Sequence, residues 1–117
     1  MTTLAEKLQL REGQPIRILG APPGFRLDAR QTDGVEGALL VFASSEKDLK
    51  SSKSAIVKSA RADRLTWVAY PKAGQKGTDL NRDILAQYFE GIQGVRMVSI
   101  DDIWSALRLR PSPVKHH

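Results

Sequence analysis

Apolar residues recur along this chain in two alternating rhythms, and the switches between them lay out an order of elements. Leu4, Ala5, Leu8 and Leu10 follow helical spacing, which predicts a short helix closed by Gly13 in "REGQP". In "PIRILGAPPGF", Ile16 and Ile18 alternate with polar neighbours before a Gly/Pro turn, as in a short strand running into a loop. Residues 26–36 carry no period and read as loop with at most one helical turn. The run "ALLVFA" from Ala38 to Ala43 is continuously apolar, the pattern of a strand covered on both faces. Ser45 then suits a helix cap, with Glu46 and Asp48 in the first turn, where the helix dipole favours negative charge. The inner stripe of that helix is Leu49, Ile56, Val57 and Ala60, and Lys53 falls within it, a position from which a lysine extends its ammonium past the core edge.

"LTWVAYP" from Leu65 to Pro71 is a second fully apolar strand. A helix over about Asp79 to Glu90 follows, with Leu80, Ile84, Leu85 and Tyr88 as its core face and Gly91 and Gly94 as its end. "VRMVSI" reads as a fourth strand. Alternation in Leu107, Arg108, Leu109 and Arg110, stopped by Pro111, favours a last strand folding back through an Asp101-Asp102 turn, although Ser105-Ala106-Leu107 also suits a short helix. The order strand, helix, strand, helix, strand implies parallel strands with crossover helices. The expected fold is therefore α/β: one small domain over residues 1–117, with a mostly parallel Rossmann-like sheet, flanking helices and a C-terminal antiparallel strand.

Composition narrows the chemistry. A chain of 117 residues with 41% hydrophobic and 26% charged residues has the size and make-up of one ordinary globular domain. The longest apolar run is far short of a membrane span, and the N-terminus lacks a secretory pattern, so a cytoplasmic protein without membrane partners is expected. There is no cysteine, and both histidines, His116 and His117, stand at the very end, where tag remnants also occur. Thiolate chemistry, Ser-His-Asp machinery and histidine-anchored metal sites are thereby excluded. No catalytic, cofactor-binding or metal-ligating set is expected. The net charge of +5 raises the question of nucleic acid, but the basic residues are interleaved with acids. Lys47, Lys50, Lys58 and Arg61 project onto one side of a helix as a solvated face, so no dedicated nucleic-acid surface is expected.

In an open parallel sheet ligands collect beyond the carboxyl ends of the strands. Two loops meet that description, residues 20–26 ("GAPPGFR") after the first strand and residues 71–83 ("PKAGQKGTDLNRD") after the third. In the latter, Gly74 and Gly77 free backbone N–H groups, Lys72 and Lys76 bring positive charge, and Thr78 or Asp79 opens a helix whose dipole favours an anion. The order Lys76-Gly77-Thr78 is not that of a Walker loop, and the same residues equally make a capped turn with lysines in water. Asn81, placed one turn into the expected helix on its apolar side, needs a hydrogen-bond partner there. Arg82 and Asp83 point outward, Asp79 and Asp83 are a weak pair for a divalent cation, and Arg26 could face the same edge as Lys72. The candidate ligand-binding residues are Lys72, Lys76, Thr78, Asn81, Arg82 and Arg26, and the possible partners are an anionic small molecule or another protein.

The Tyr70-Pro71-Lys72 loop, the Thr78 to Asp83 segment "TDLNRD", the Trp104 to Arg108 segment "WSALR" and "PIRILGAPPGF" together resemble a bacterial family of short proteins catalogued only as a domain of unknown function. The likeness reaches from about residue 4 to residue 110, and it implies no reaction. The layout also resembles the later half of a class I methyltransferase, ending in a hairpin. The glycine-rich loop and following acid that grip S-adenosylmethionine in that superfamily have no counterpart, so the resemblance implies no cofactor. The expected role is a non-catalytic binding or protein-interaction module, with an anion-binding module as the alternative.

Overall fold

A computed structural model describes residues 3–34, 37–72 and 80–112, the side chains of Arg82 and Ala86 excepted. The elements run α1 (Leu4–Lys7), β1 (Ile16–Leu19), β2 (Ala38–Phe42), α2 (Glu46–Arg61), β3 (Thr66–Pro71), α3 (Arg82–Tyr88), β4 (Ile92–Ser99) and β5 (Trp104–Pro111). They form a small α/β fold around one five-stranded mixed sheet of order β1-β2-β3-β5-β4.

The first three strands pair in parallel, and β5 pairs antiparallel with both β3 and β4. Four strands therefore point one way and β5 alone opposes them, but β4 does not pair with β3 as a simple crossover would place it. The hairpin return brings β5 between them. The final segment is a strand, as its alternation predicts, and Asp101 shapes the turn before it by accepting N–H bonds from Ile103 and Trp104, each at 2.8 Å.

The continuous apolar character of β2 follows from its central position. Leu39 and Val41 enter a core beneath α2 and α3, while Ala38, Leu40 and Phe42 enter a second core on the opposite face. That second face is covered by α1 and the 20–34 loop through Leu8 and Leu27, and Trp67 Nε1 donates to the carbonyl of Leu8 at 3.0 Å. The loop's return leg runs beside β1, where Ile16 N donates to Arg30 O and Thr32 N donates to Ile16 O.

Several boundaries differ from the periodic reading. The first helix stops at Leu8 rather than Gly13, because Gln9 takes a left-handed φ of 62°. The third begins at Arg82, three residues after Asp79, and Ile84 is left 40% exposed while Leu85 and Phe89 are buried. Gly94 lies inside β4 instead of ending a helix. A Cβ there would lie 2.9 Å from the Leu107 side chain, so glycine serves close strand packing. Among the described residues no helix is long and apolar enough to cross a membrane.

Candidate functional site

At the carboxyl ends of the strands the polar groups largely satisfy one another. Lys72 is half-buried, its Nζ donates to Ser99 Oγ at 2.8 Å and its backbone N donates to Ile103 O at 2.7 Å. Ser99 Oγ in turn donates to the carbonyl of Asp101 at 3.2 Å, so the lysine ties the end of β3 to the turn between β4 and β5. Asn81 is not on the apolar side of its helix. It is the exposed N-cap of α3, its Oδ1 accepting from Ile84 N at 2.9 Å. That bond satisfies an otherwise orphaned helix N–H, the task assigned from the sequence to Thr78 or Asp79. Leu80 just before the cap and Leu85 just inside the helix are buried in the same core, a staple fixing the chain's entry.

Lys76, Thr78 and Asp79 lie outside the described residues, as does the side chain of Arg82. Arg26 is exposed in the loop after β1, and no hydrogen bond or ion pair joins it to Lys72. Lys53 is exposed, with its ammonium 5.4 Å from the centroid of the Tyr88 ring, so it does extend past the core edge.

The start of α2 is occupied from within. Asp48 Oδ2 accepts from the N and Oγ of Ser44 at 3.1 and 2.9 Å, and Asp48 N donates to Ser45 Oγ. These bonds, led by the Ser44 backbone N–H, hold the Asp48 carboxyl below its ordinary value. Beside this loop, Phe42 stacks edge-on with Phe25 at 4.8 Å and with Trp104 at 5.1 Å between ring centroids. Gly20 has a φ of +71° and a Cβ there would lie 2.8 Å from Phe42 O, which holds the loop onto this cluster.

A cavity opens elsewhere, beside β1 and toward the amino ends of the strands. It has a volume of about 460 Å³ and lies between β1, the start of β2 and α2. Leu19, Leu39 and Ala55 form its apolar floor, Ser51, Ser52 and Ser54 line the helix side, and Arg17, Lys58 and Arg64 contribute three cationic side chains. Among the described residues the lining contains no carboxylate, and neither Arg17 nor Lys58 has an ion-pair partner. The space exists because α2 presents small residues here and β1 has no helix of its own above this face. At the deep end Ser59 and Thr66 bond each other at 2.6 Å, closing the floor with a satisfied polar pair.

Sequence reasoning missed this groove. Lys58 was assigned to a solvated helix face, and exposed it is, but it also borders the cavity. The available signal was Arg17: between Ile16 and Ile18 on a strand it must project to the face opposite theirs, which is the side α2 covers. Comparison of the chain with family models, with curated proteins and with solved structures finds no match in any of the three.

Proposed function

We propose that this chain is a single-domain, non-catalytic binding module that takes an anionic small molecule in the groove between β1 and α2. The observation that carries the reading is the placement of Arg17, Lys58 and Arg64 over the apolar floor of Leu19 and Leu39, with no carboxylate among the described residues of the lining. A cavity of about 460 Å³ lies within the usual range for small ligands, about 300–1,000 Å³. Its chemistry suits a ligand with a flat or apolar body and a phosphate, as in a nucleotide: the body rests on the floor, and the cations and serine hydroxyls receive the oxygens.

This reading moves the ligand away from the loops after β1 and β3, since Lys72 is already engaged by Ser99. The Rossmann-like description and the likeness to the later half of a class I methyltransferase belong to the same proposal. They are supported by three parallel strands followed by an antiparallel strand inserted between β3 and β4, and they carry no activity with them. The cytoplasmic setting and the likeness to the uncharacterised bacterial family are retained as part of it.

Thermal unfolding with AMP and with adenosine, in the natural chain and in the Arg17→Ala, Lys58→Ala double variant, tests the proposal. A ligand at about 100 times its dissociation constant adds about 2.7 kcal/mol, several degrees for a domain of this size. AMP is expected to stabilise the natural chain more than adenosine does, and the double variant to lose the difference. Equal effects of AMP on both chains would overturn the reading. A protein partner is the second reading, favoured by the open edge strand β4, where Val95 and Met97 are 44% and 49% exposed. In that case Met97→Lys abolishes partner association and leaves AMP binding unchanged.

A further inference from the structure

We infer that a second anion site lies on the opposite face of the sheet, where Arg108, flanked by Arg11 and Arg96, receives the phosphate group of a small molecule. The inference does not rest on the groove beside β1. Arg108 is on β5 and points to the face that carries Trp67 and α1, beside an open cavity of about 620 Å³ whose lining includes Arg11, Gln14 and Leu65. Its Nη1 donates to Gln9 Oε1 at 2.6 Å, yet its Nε is buried with no hydrogen-bond partner among the described residues. A buried guanidinium N–H without an acceptor is costly and uncommon, and an oxyanion supplies the missing acceptor once the side chain turns it toward the cavity.

The backbone around it concentrates like charge. The register between β4 and β5 slips at Gly94/Arg96: Gly94 pairs with Leu109, but Arg96 rather than Val95 pairs with Arg108. Without that bulge Val95 would stand across from Arg108 and Arg96 would turn to the other face. Two arginines directly opposite on one face repel. Burial, with the charges of Arg110 and Arg96, depresses the Arg108 pKa, whereas Asp63 works in the other sense. Asp63 is itself engaged by Arg110, through bonds of 3.1 Å to Nε and Nη2, and among the described residues Glu12 is the one carboxylate in the cavity lining. Gln9 adds to the picture: it occupies the left-handed position after α1 where glycine is usual, and so gains a side chain that orients the Arg108 fork. A dianionic phosphate suits this concentration of charge, since the Arg108 guanidinium at the cavity meets its oxygens while the neighbouring arginines offset the second charge.

The test is an NMR titration of the full chain with inorganic phosphate at low ionic strength, with acetate as the monoanion control, on the natural chain and on Arg108→Met, Arg96→Gln and Arg17→Ala. Phosphate is expected to shift the Arg108, Gln9 and Arg96 signals. Affinity should fall about tenfold or more in Arg108→Met and by a smaller factor in Arg96→Gln. It should be unchanged at this site in Arg17→Ala, which separates it from the groove beside β1. If Arg108→Met does not fold, Arg96→Gln, which changes an exposed side chain, carries the decision. Absence of a phosphate response in the natural chain, full retention in Arg96→Gln, or acetate binding as tightly as phosphate would each overturn the assignment.

Discussion

At the carboxyl ends of the strands, Lys72, Ser99 and Asp101 bond in series, Asp48 closes the start of α2, and Phe42 joins Phe25 to Trp104. Toward the amino ends, Arg17 and Lys58 border one cavity and Arg108 borders another on the opposite face, with a buried Nε that finds no acceptor among the described residues. Parallel sheets generally place ligands at the carboxyl end. Here the described part of that end, Arg26 apart, spends most of its polar groups on itself, and the cations that border cavities lie at the other. On the proposed reading, topology alone does not locate the site: what matters is where donors are left without acceptors.

If the carboxyl end holds the fold together, the largest loss of stability should come from its aromatic cluster. Phe42→Ala removes a 5% exposed side chain that packs on two other rings, and is expected to cost about 3–5 kcal/mol in denaturant unfolding. A cost below about 1 kcal/mol would show that this end is looser than its contacts imply. Next in size is Asn81→Ala, which removes the α3 cap and should cost about 1 kcal/mol, with faster hydrogen exchange at Ile84 N.

These two residues also mark how far the sequence could be read. The strand order of types, the capping of α2 by Ser45 and the last strand were legible, because apolar periodicity and cap chemistry are local. The position of β5 between β3 and β4 was not, since pairing partners depend on which edge a hairpin returns to. The same holds for Asn81: moving the helix start by three residues turned an awkward polar residue on an apolar face into an ordinary cap. Arg108 looked like one member of a Leu-Arg alternation with Arg110 beside it, and only the bulge at Gly94 and Arg96 adds Arg96 directly across from it.

A smaller effect, with a dependence on pH, is expected at Asp48. Its folded pKa lies below the ordinary 3.8, so its contribution is complete above the unfolded value and disappears as pH falls through the depressed folded value. The melting temperature of Asp48→Asn should therefore trail the natural chain near neutral pH, and the gap should close as pH falls below the folded value. A gap constant across that window would assign the loss to helix geometry instead of the charge.

The smallest change in stability is expected where the change in binding is greatest. Arg17 and Lys58 make no ion pair among the described residues, so the Arg17→Ala, Lys58→Ala double variant should stay within about 0.5 kcal/mol of the natural chain. Removing two of three like charges around one cavity even relieves repulsion when no anion is bound, which biases the shift toward stabilisation at low salt. The same variant should lose most AMP-induced stabilisation, and the AMP response of the natural chain should weaken as salt rises. A structural role for these cations reverses both expectations: the variant would unfold early, and it would respond to AMP as the natural chain does. Stability and binding measured on one variant thus separate an end of the sheet built to hold the chain from an end built to hold something else.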